Sequence, residues 1–201
     1  MKIRFAKYKD LKKIIGIYNQ AIIAGNATGD TKEINIKDRK DWFNEHNSDK
    51  YPIYVMEFND TMIGWGSISP YRKGREGFKE TAEISYYLDY NYHGQGYGKK
   101  LIEYMIADCK RLGIKNLLAM LLEINKKSCL ILEEFGFSKW GFMPDVVNIK
   151  GKRCGHLIYG RKIYSDDEKN ASIHPNNRAS ADGAKSTHKG LKDFNTNSPD
   201  L

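Results

Sequence analysis

One glycine-rich segment, Tyr92–Lys99 (YHGQGYGK), limits the folds open to this chain more than any other feature of its sequence. It stands between a predicted strand and a predicted amphipathic helix. Glycine lets the backbone fold back without a Cβ clash, so successive N–H groups can point into one concavity beside the positive end of the helix dipole. The segment therefore predicts a pyrophosphate site. The alternative is a glycine turn that only begins a helix.

The glycine spacing separates this turn from other phosphate-binding loops. Gly94, Gly96 and Gly98 alternate with other residues, whereas a dinucleotide fingerprint places its third glycine three residues after the second. The sequence has no Gly-Lys-Ser/Thr of a P-loop and lacks the companion motifs of a protein kinase. These three classes of nucleotide site are excluded.

Hydrophobic periodicity predicts alternating strands and helices before residue 164. Asn59-Asp60 is a tight hairpin signal between two of the strands. Strands are predicted at 2–6, 53–58, 62–69, 81–88, 117–122, 139–147 and 156–163, and helices at 10–25, 36–46, 99–112 and 125–136. From residue 164 the sequence turns to Asn, Ser, Asp, Lys and Ala with isolated apolar residues, a composition that predicts a disordered polar tail over 164–201. The expected domain is 1–163.

Charge and cysteine content narrow the partners and the compartment. The net charge is +8, and the tail does not contribute to it, so the excess lies in the predicted domain. A basic domain fits nucleic acid, a phosphate-rich cofactor or an ordinary solvated surface. The N-terminus lacks the apolar core of a signal peptide, no membrane span is visible, and three scattered cysteines fit a reduced protein. We therefore expect a cytoplasmic protein without a metal site or a membrane partner. The absence of an aromatic-basic recognition motif argues against a nucleic-acid partner.

Several motifs in order resemble the GNAT superfamily of N-acetyltransferases. Gly96 and Gly98 resemble its Gln/Arg-x-x-Gly-x-Gly/Ala pyrophosphate loop, with His93 as a departure at the first position. Asn125, Ser128 and Gly136-Phe137 are similar to a later helix of the family. Tyr51-Pro52, Gly64-Trp65, Phe78, Thr81-Ala82-Glu83 and Met143-Pro144 resemble the branch that acetylates phosphinothricin and methionine sulfone. The resemblance covers roughly residues 2–163, and motifs that agree in this way reinforce one another.

The resemblance implies a fold, a cosubstrate and a reaction. The fold is α/β, with a central mixed, mostly antiparallel sheet of six or seven strands flanked by about four helices. The cosubstrate is acetyl-CoA, and the acceptor is the amine of a small amino acid or analogue. The implied cofactor-binding residues are Tyr86, Tyr87, Leu88, Gly94, Gln95, Gly96, Tyr97, Gly98, Lys99, Asn125 and Ser128.

Glu83 is the candidate catalytic base. It stands mid-strand among apolar and aromatic neighbours, and partial burial would raise its pKa toward neutrality, as a general base requires. From the residues alone, an outward-facing sheet carboxylate is the stronger alternative, and the resemblance reverses that order. Arg72, Gly77 and Phe78, in a charged loop, are candidate substrate-binding residues, and an ordinary solvated loop is the alternative.

Two departures from the family pattern affect the site. Leu132 occupies the position where the family commonly has a Tyr or His that protonates the leaving thiolate. Cys154 and His156 stand where the branch has Trp and Asp before its last strand, which bears on the acceptor pocket. The remaining functional alternatives are acetylation of a protein N-terminus or lysine, and a catalytically weak CoA-binding or nucleic-acid-binding module. Whether the chain forms a homodimer is open.

Overall fold

The computed structural model describes residues 1–163, and the tail predicted at 164–201 lies outside the described residues. The described part contains seven strands and four α-helices in the predicted order, so the fold prediction is confirmed. The strands are β1 Lys2–Phe5, β2 Ile53–Phe58, β3 Thr61–Pro70, β4 Thr81–Leu88, β5 Asn116–Leu122, β6 Ser138–Ile149 and β7 Lys152–Lys162. The helices are α1 Leu11–Ala24, α2 Ile36–Asn44, α3 Tyr97–Asp108 and α4 Lys126–Glu134.

The strands form one sheet in the order β1-β2-β3-β4-β5-β7-β6. Every neighbouring pair is antiparallel except β4 and β5. A parallel pair needs a crossover connection, and here α3 supplies it. The single parallel pair therefore follows directly from the strand–turn–helix–strand order around the glycine turn.

The helices cover both faces of the sheet, as the alternation of side chains along each strand requires. On β2, Ile53 and Val55 pack in one buried cluster with α1, whereas Tyr54 and Met56 pack in another with α3 and α4. The sheet thus separates an α1/α2 side from an α3/α4 side. Opposite faces of β4 consequently have different neighbours.

Two tight turns set the strand boundaries. Asn59 and Asp60 have φ values of 47° and 58°, a left-handed pair that matches a two-residue hairpin and confirms the hairpin prediction. Lys150 and Gly151 form a second such turn, with φ values of 51° and 87°. Because of this turn, β7 begins at Lys152, four residues before the predicted start. Cys154, expected before the last strand, therefore lies within it, whereas His156 lies within the strand as predicted.

The α2 helix has a reciprocal cap at its start and a side-chain cap near its end. Asn35 Oδ1 accepts from the Lys37 N–H, and Asp38 Oδ2 accepts from the Asn35 N–H. The helix ends at Asn44, two residues before the predicted end, and the His46 ring bonds to the Trp42 carbonyl in the last turn. Among residues 1–163, no helix has the length and apolar character of a membrane span.

Candidate active site

A cleft opens in the sheet where β4 and β5 diverge. The two strands pair over only three positions, of which the last is Glu83 opposite Leu118. Beyond it, residues 84–88 of β4 and 119–122 of β5 face each other without a ladder; we call this gap the β4–β5 cleft. Backbone N–H and C=O groups along such a gap need hydrogen-bond partners. An extended chain carrying amide groups can supply them.

The glycine turn lies at the end of the cleft and begins α3. Gly94 and Gly96 have left-handed φ values of 77° and 80°, and a Cβ at either position would meet open space. The glycines are therefore required by backbone conformation and not by crowding, and the space beside them is free for a ligand. The helix begins at Tyr97, two residues earlier than predicted, and no side chain caps its first N–H groups. This arrangement fits a phosphate group.

Four predicted cofactor-binding residues have partners within the protein: Gln95, Lys99, Asn125 and Ser128. Gln95 Nε2 donates to the Asn91 carbonyl at 3.3 Å, and Asn125 Oδ1 accepts from the Ser128 N–H at 3.3 Å. Lys99 Nζ is 2.5 Å from Glu134 Oε2, an ion pair that joins α3 to the end of α4. His93, the departure from the family loop, contacts the Leu88 carbonyl oxygen through Nε2 at 3.1 Å. Asn125 thus caps the start of α4 through its Oδ1, and its side-chain amide nitrogen has no hydrogen-bond partner among residues 1–163.

Tyr86 and Leu88 point to the α3/α4 side, where they pack against the buried cluster of those helices. The Tyr86 hydroxyl is buried near Ser128 without a hydrogen bond among the described residues, and burial raises the pKa of Tyr86 to about 12. Leu132 is fully buried in the same cluster. The α3/α4 wall of the cleft therefore offers a protonated phenol, while the position of the usual proton donor is purely apolar.

An aromatic cavity of about 200 Å³ lies on the other side of β4, between the sheet and the first two helices. Its floor consists of two rungs of the β3–β4 ladder, Ser67 opposite Ser85 and Ser69 opposite Glu83. Its remaining lining consists of Ile14, Ile15, Tyr18, Ile34, Arg39, Trp42, Trp65 and Tyr87. The polar floor and largely apolar walls are typical of a small-molecule site.

Glu83 joins the cavity to the cleft. Its side chain lines the cavity, and its backbone makes the last β4–β5 pair before the strands diverge. Burial raises the pKa of Glu83, and among the described residues its carboxylate has no hydrogen-bond or ion-pair partner. An unpaired, partly buried carboxylate of this kind is suited to accept a proton from a bound molecule.

Arg39 provides a cation in the same cavity. Its guanidinium lies over the rings of Tyr18 and Trp42, 5.1 and 5.7 Å from their centroids, and 3.2 Å from Asp30 Oδ2. The Tyr18 hydroxyl donates to the same Asp30 oxygen at 2.7 Å. Tyr87, which the sequence assigned to the cofactor, directs its side chain into this cavity and stacks on Trp65 at 4.9 Å.

The remaining candidates lie outside the cavity lining. Arg72, Gly77 and Phe78 are exposed in the β3–β4 loop, which Lys73 ties to Glu45 beyond α2 at 2.8 Å. Cys154 is buried beside Leu122 and Ile149, and His156 is partly buried on β7. The three cysteines are free and buried, and no cluster of three or more metal-ligating side chains occurs within residues 1–163.

Sequence reasoning missed most of the cavity. Arg39, Tyr18 and Trp42 come from the first two helices, and their meeting with β4 has no local signature. A signal did exist for the floor. Ser67 and Ser69 alternate on β3 and Ser85 follows Glu83 by two residues, a spacing that places small polar side chains on one face of each strand.

Comparison with known proteins shows one family. The acetyltransferase (GNAT) family matches residues 20–137. YwnH of Bacillus subtilis (strain 168), whose name assigns it provisionally to phosphinothricin acetylation, is 34% identical over 164 residues, covering 81% of this chain and 99% of that protein. The L-methionine sulfoximine/L-methionine sulfone acetyltransferase of Salmonella typhimurium (strain LT2) is 30% identical over 146 residues, covering 73% of this chain and 85% of that one.

A solved structure agrees with these relatives. The structure of yncA from Salmonella typhimurium with its cofactor acetyl-CoA superposes with a TM-score of 0.77 at 27% identity, covering 82% of this chain and 95% of that chain.

Proposed function

The chain belongs to the acetyltransferase (GNAT) family, and from this premise we propose that it transfers acetyl from acetyl-CoA to the α-amine of a small amino acid or analogue. The observation that carries the acceptor class is that Glu83 and Arg39 both line one cavity of about 200 Å³. A free amino acid has an amine for the carboxylate and a carboxylate for the guanidinium. Guanidinium–carboxylate bonds are among the stronger hydrogen bonds in proteins.

The cofactor is proposed to lie in the β4–β5 cleft. Acetyl-CoA supplies the acetyl thioester, and its diphosphate and amide groups match the glycine turn and the unpaired strand edges described above. The turn residues Gly94–Lys99 would hold the diphosphate, residues 86–88 the amide-bearing arm, and Asn125 and Ser128 the part nearest α4. The positive charge of the chain, +8 in total, complements a polyphosphate ligand.

Glu83 is proposed as the general base. An ammonium that becomes an amide loses two protons. Glu83 accepts the first, which frees the nitrogen lone pair to attack the thioester carbonyl as the carbon–sulfur bond breaks. The nitrogen releases the second proton to solvent as the carbon–sulfur bond breaks, and this proton balances the charge of the departing thiolate. An ordinary thiol has a pKa of about 8.5, so the thiolate can leave although Leu132 cannot protonate it.

The relatives support this acceptor class. YwnH and the Salmonella enzyme carry names that refer to phosphinothricin or methionine sulfoximine and sulfone, which are amino acids with a polar side-chain group. We propose that Arg72, Gly77 and Phe78 add contacts from the β3–β4 loop, which Lys73 ties to Glu45 beyond α2. A protein N-terminus or lysine is the second candidate, and the small volume of the cavity disfavours it.

Location and partners are also proposed. Three free, buried cysteines favour the reducing cytoplasm, and we propose neither a membrane nor a nucleic-acid partner. A homodimer is supported by the edge strand β6, on which Trp140, Phe142, Met143 and Val146 are exposed.

An acceptor panel tests the proposal. Release of CoA thiol from acetyl-CoA would be followed with free amino acids, methionine sulfone, methionine sulfoximine, phosphinothricin, an amine lacking the carboxylate, and peptides with a free N-terminus or lysine. We expect the highest kcat/KM among free amino acids and analogues. Preference for a peptide would establish the second candidate. If no acceptor in the panel gave thiol release, only cofactor binding would remain.

A further inference from the structure

His46 lies just beyond the end of α2 and is held at both ring nitrogens. Its Nδ1 is 2.7 Å from the Trp42 carbonyl oxygen, and its Nε2 is 3.0 Å from Ser69 Oγ. The ring also lies against the Trp42 indole, with centroids 4.7 Å apart. These contacts fix the ring between the helix end and β3.

The two bonds determine which nitrogen carries the hydrogen. A backbone carbonyl only accepts, so Nδ1 must be the donor, and in neutral His46 the Nε2 lone pair faces Ser69. The Ser69 hydroxyl then donates to Nε2. The hydroxyl hydrogen of Ser69 is used in the bond to His46, and the lone pairs of its oxygen remain available to a donor in the cavity.

Ser69 stands beside the proposed base. It lines the aromatic cavity and is the partner of Glu83 across the β3–β4 ladder. Directly opposite residues in such a ladder place their Cβ atoms about 4.5–5.5 Å apart on one face. Among the described residues, Ser69 Oγ bonds only to His46, and the Glu83 carboxylate has no partner. Two hydrogen-bond acceptors are therefore presented side by side.

We propose that His46 is a positioning residue that keeps Ser69 Oγ an acceptor, so that the substrate amine is held between Ser69 and Glu83. This inference rests on the proposed function, because it requires an amine in the cavity. An amine or ammonium has enough N–H donors for both oxygens, whereas an alcohol has a single O–H. The arrangement therefore selects N-acetylation over O-acetylation.

Protonation of His46 reverses the arrangement. The imidazolium donates from Nε2, so Ser69 accepts and its own hydrogen turns toward the cavity and competes for Glu83. Burial is the main cause that lowers the pKa of His46; Lys73 acts in the same direction, and Glu45 and the Trp42 carbonyl oppose it. The charged groups around the ring are Glu45, Lys73 and, beyond Ser69, Glu83. Amine binding should weaken as the pH falls below the ordinary histidine value of about 6.5.

A double-mutant cycle tests the link between the two residues. His46→Asn keeps an amide nitrogen near Nδ1 for the Trp42 carbonyl but loses the partner of Ser69, whereas His46→Gln presents an amide near the Nε2 position. We expect KM for the amine to rise about tenfold in His46→Asn and in Ser69→Ala, the usual cost of one hydrogen bond to a charged group. The double variant should equal Ser69→Ala alone, and His46→Gln should be close to wild type.

The control readouts separate positioning from stability. KM for acetyl-CoA, which is proposed to bind on the opposite side of β4, should be unchanged in all four variants. Multiplied effects in the double variant would show that His46 acts independently of Ser69 and would overturn the inference. An equal rise of the KM for the amine at low pH in wild type and in His46→Gln would also overturn the inference.

Measurements on the free protein make the outcome independent of turnover. Nitrogen-15 shifts of His46 at pH 8 should show the Nδ1–H tautomer, and calorimetry with methionine sulfone alone should reproduce the tenfold loss in His46→Asn. An Nε2–H tautomer would overturn the inference even in an active enzyme. Inactivity of wild type across the acceptor panel would instead overturn the proposed function, with the tautomer unaffected.

Discussion

The two halves of the candidate site, one on each side of β4, present different chemical groups to their ligands. On the α3/α4 side, the cleft and the glycine turn present mainly backbone groups, with Gly94 and Gly96 in left-handed conformations. On the α1/α2 side, the cavity presents side chains from α1, α2, β3 and β4. A site formed by backbone groups keeps the same ligand when side chains change. The specificity of a site formed by side chains, in contrast, can be altered by single substitutions. This division suits an enzyme family with a common cosubstrate and varied acceptors.

Replacing Glu83 by Gln should produce the largest effect. The amide keeps the shape of the side chain but cannot accept a proton, and loss of a general base typically costs about a hundredfold or more in rate. Affinity for acetyl-CoA should be nearly unchanged, because the carboxylate lies on the cavity side. Calorimetry and kcat would be measured on the same folded preparation.

The pH–rate profile is the control for this variant. In wild type the rate should fall as the pH drops through the raised pKa of Glu83, because protonation removes the base. In Glu83→Gln this limb should be absent, and the deficit should shrink at high pH, where solution deprotonates more of the amine. Identical profiles would place the base on another residue.

Replacing Gly96 by Val should weaken cofactor binding by about ten- to hundredfold, the cost of losing one or two hydrogen bonds to a charged ligand. A Cβ at Gly96 would enter the open space beside the turn, and the left-handed backbone also disfavours it. The dissociation constant of CoA would be measured by calorimetry.

Gly151→Val is the matched control, because Gly151 has a φ of 87° and equally open surroundings in a remote hairpin. Both variants should lose stability, but only the Gly96 variant should lose CoA affinity. Equal affinity in the two would show that the turn does not contact the diphosphate.

Replacing Arg39 by Met should raise KM for a carboxylate-bearing acceptor about tenfold, since one charged contact is lost. Arg72→Met tests the other candidate, which the sequence favoured from the exposed loop. We expect the larger effect from Arg39, because it lines the cavity and Arg72 does not. An amine without a carboxylate should show no change in either variant, and a larger effect from Arg72 would move the carboxylate site to the loop.

Local signals account for what the sequence could predict. The glycine turn, the Asn59-Asp60 hairpin and the Glu83 strand each lie within a short stretch, where backbone conformation or alternation leaves a readable pattern. The contact of His46 with Ser69 spans 23 positions, and Arg39 meets the cavity only because α2 packs over β3 and β4. Such contacts depend on how elements pack. The early start of β7 was missed for another reason, because it depends on a local turn at Lys150 and Gly151 that strand periodicity did not reveal.

The brief pairing of β4 with β5 divides the sheet into a four-stranded and a three-stranded part, joined there by only three rungs. An extended ligand in the gap would complete the missing rungs and act as a temporary eighth strand. Binding would then stiffen the seam between the two parts, and departure of the product would have to undo every one of those bonds. On this geometry, hydrogen bonds between the ligand and the two strands would form and break once in each catalytic cycle. The mechanical stiffness of the protein should therefore rise and fall with turnover.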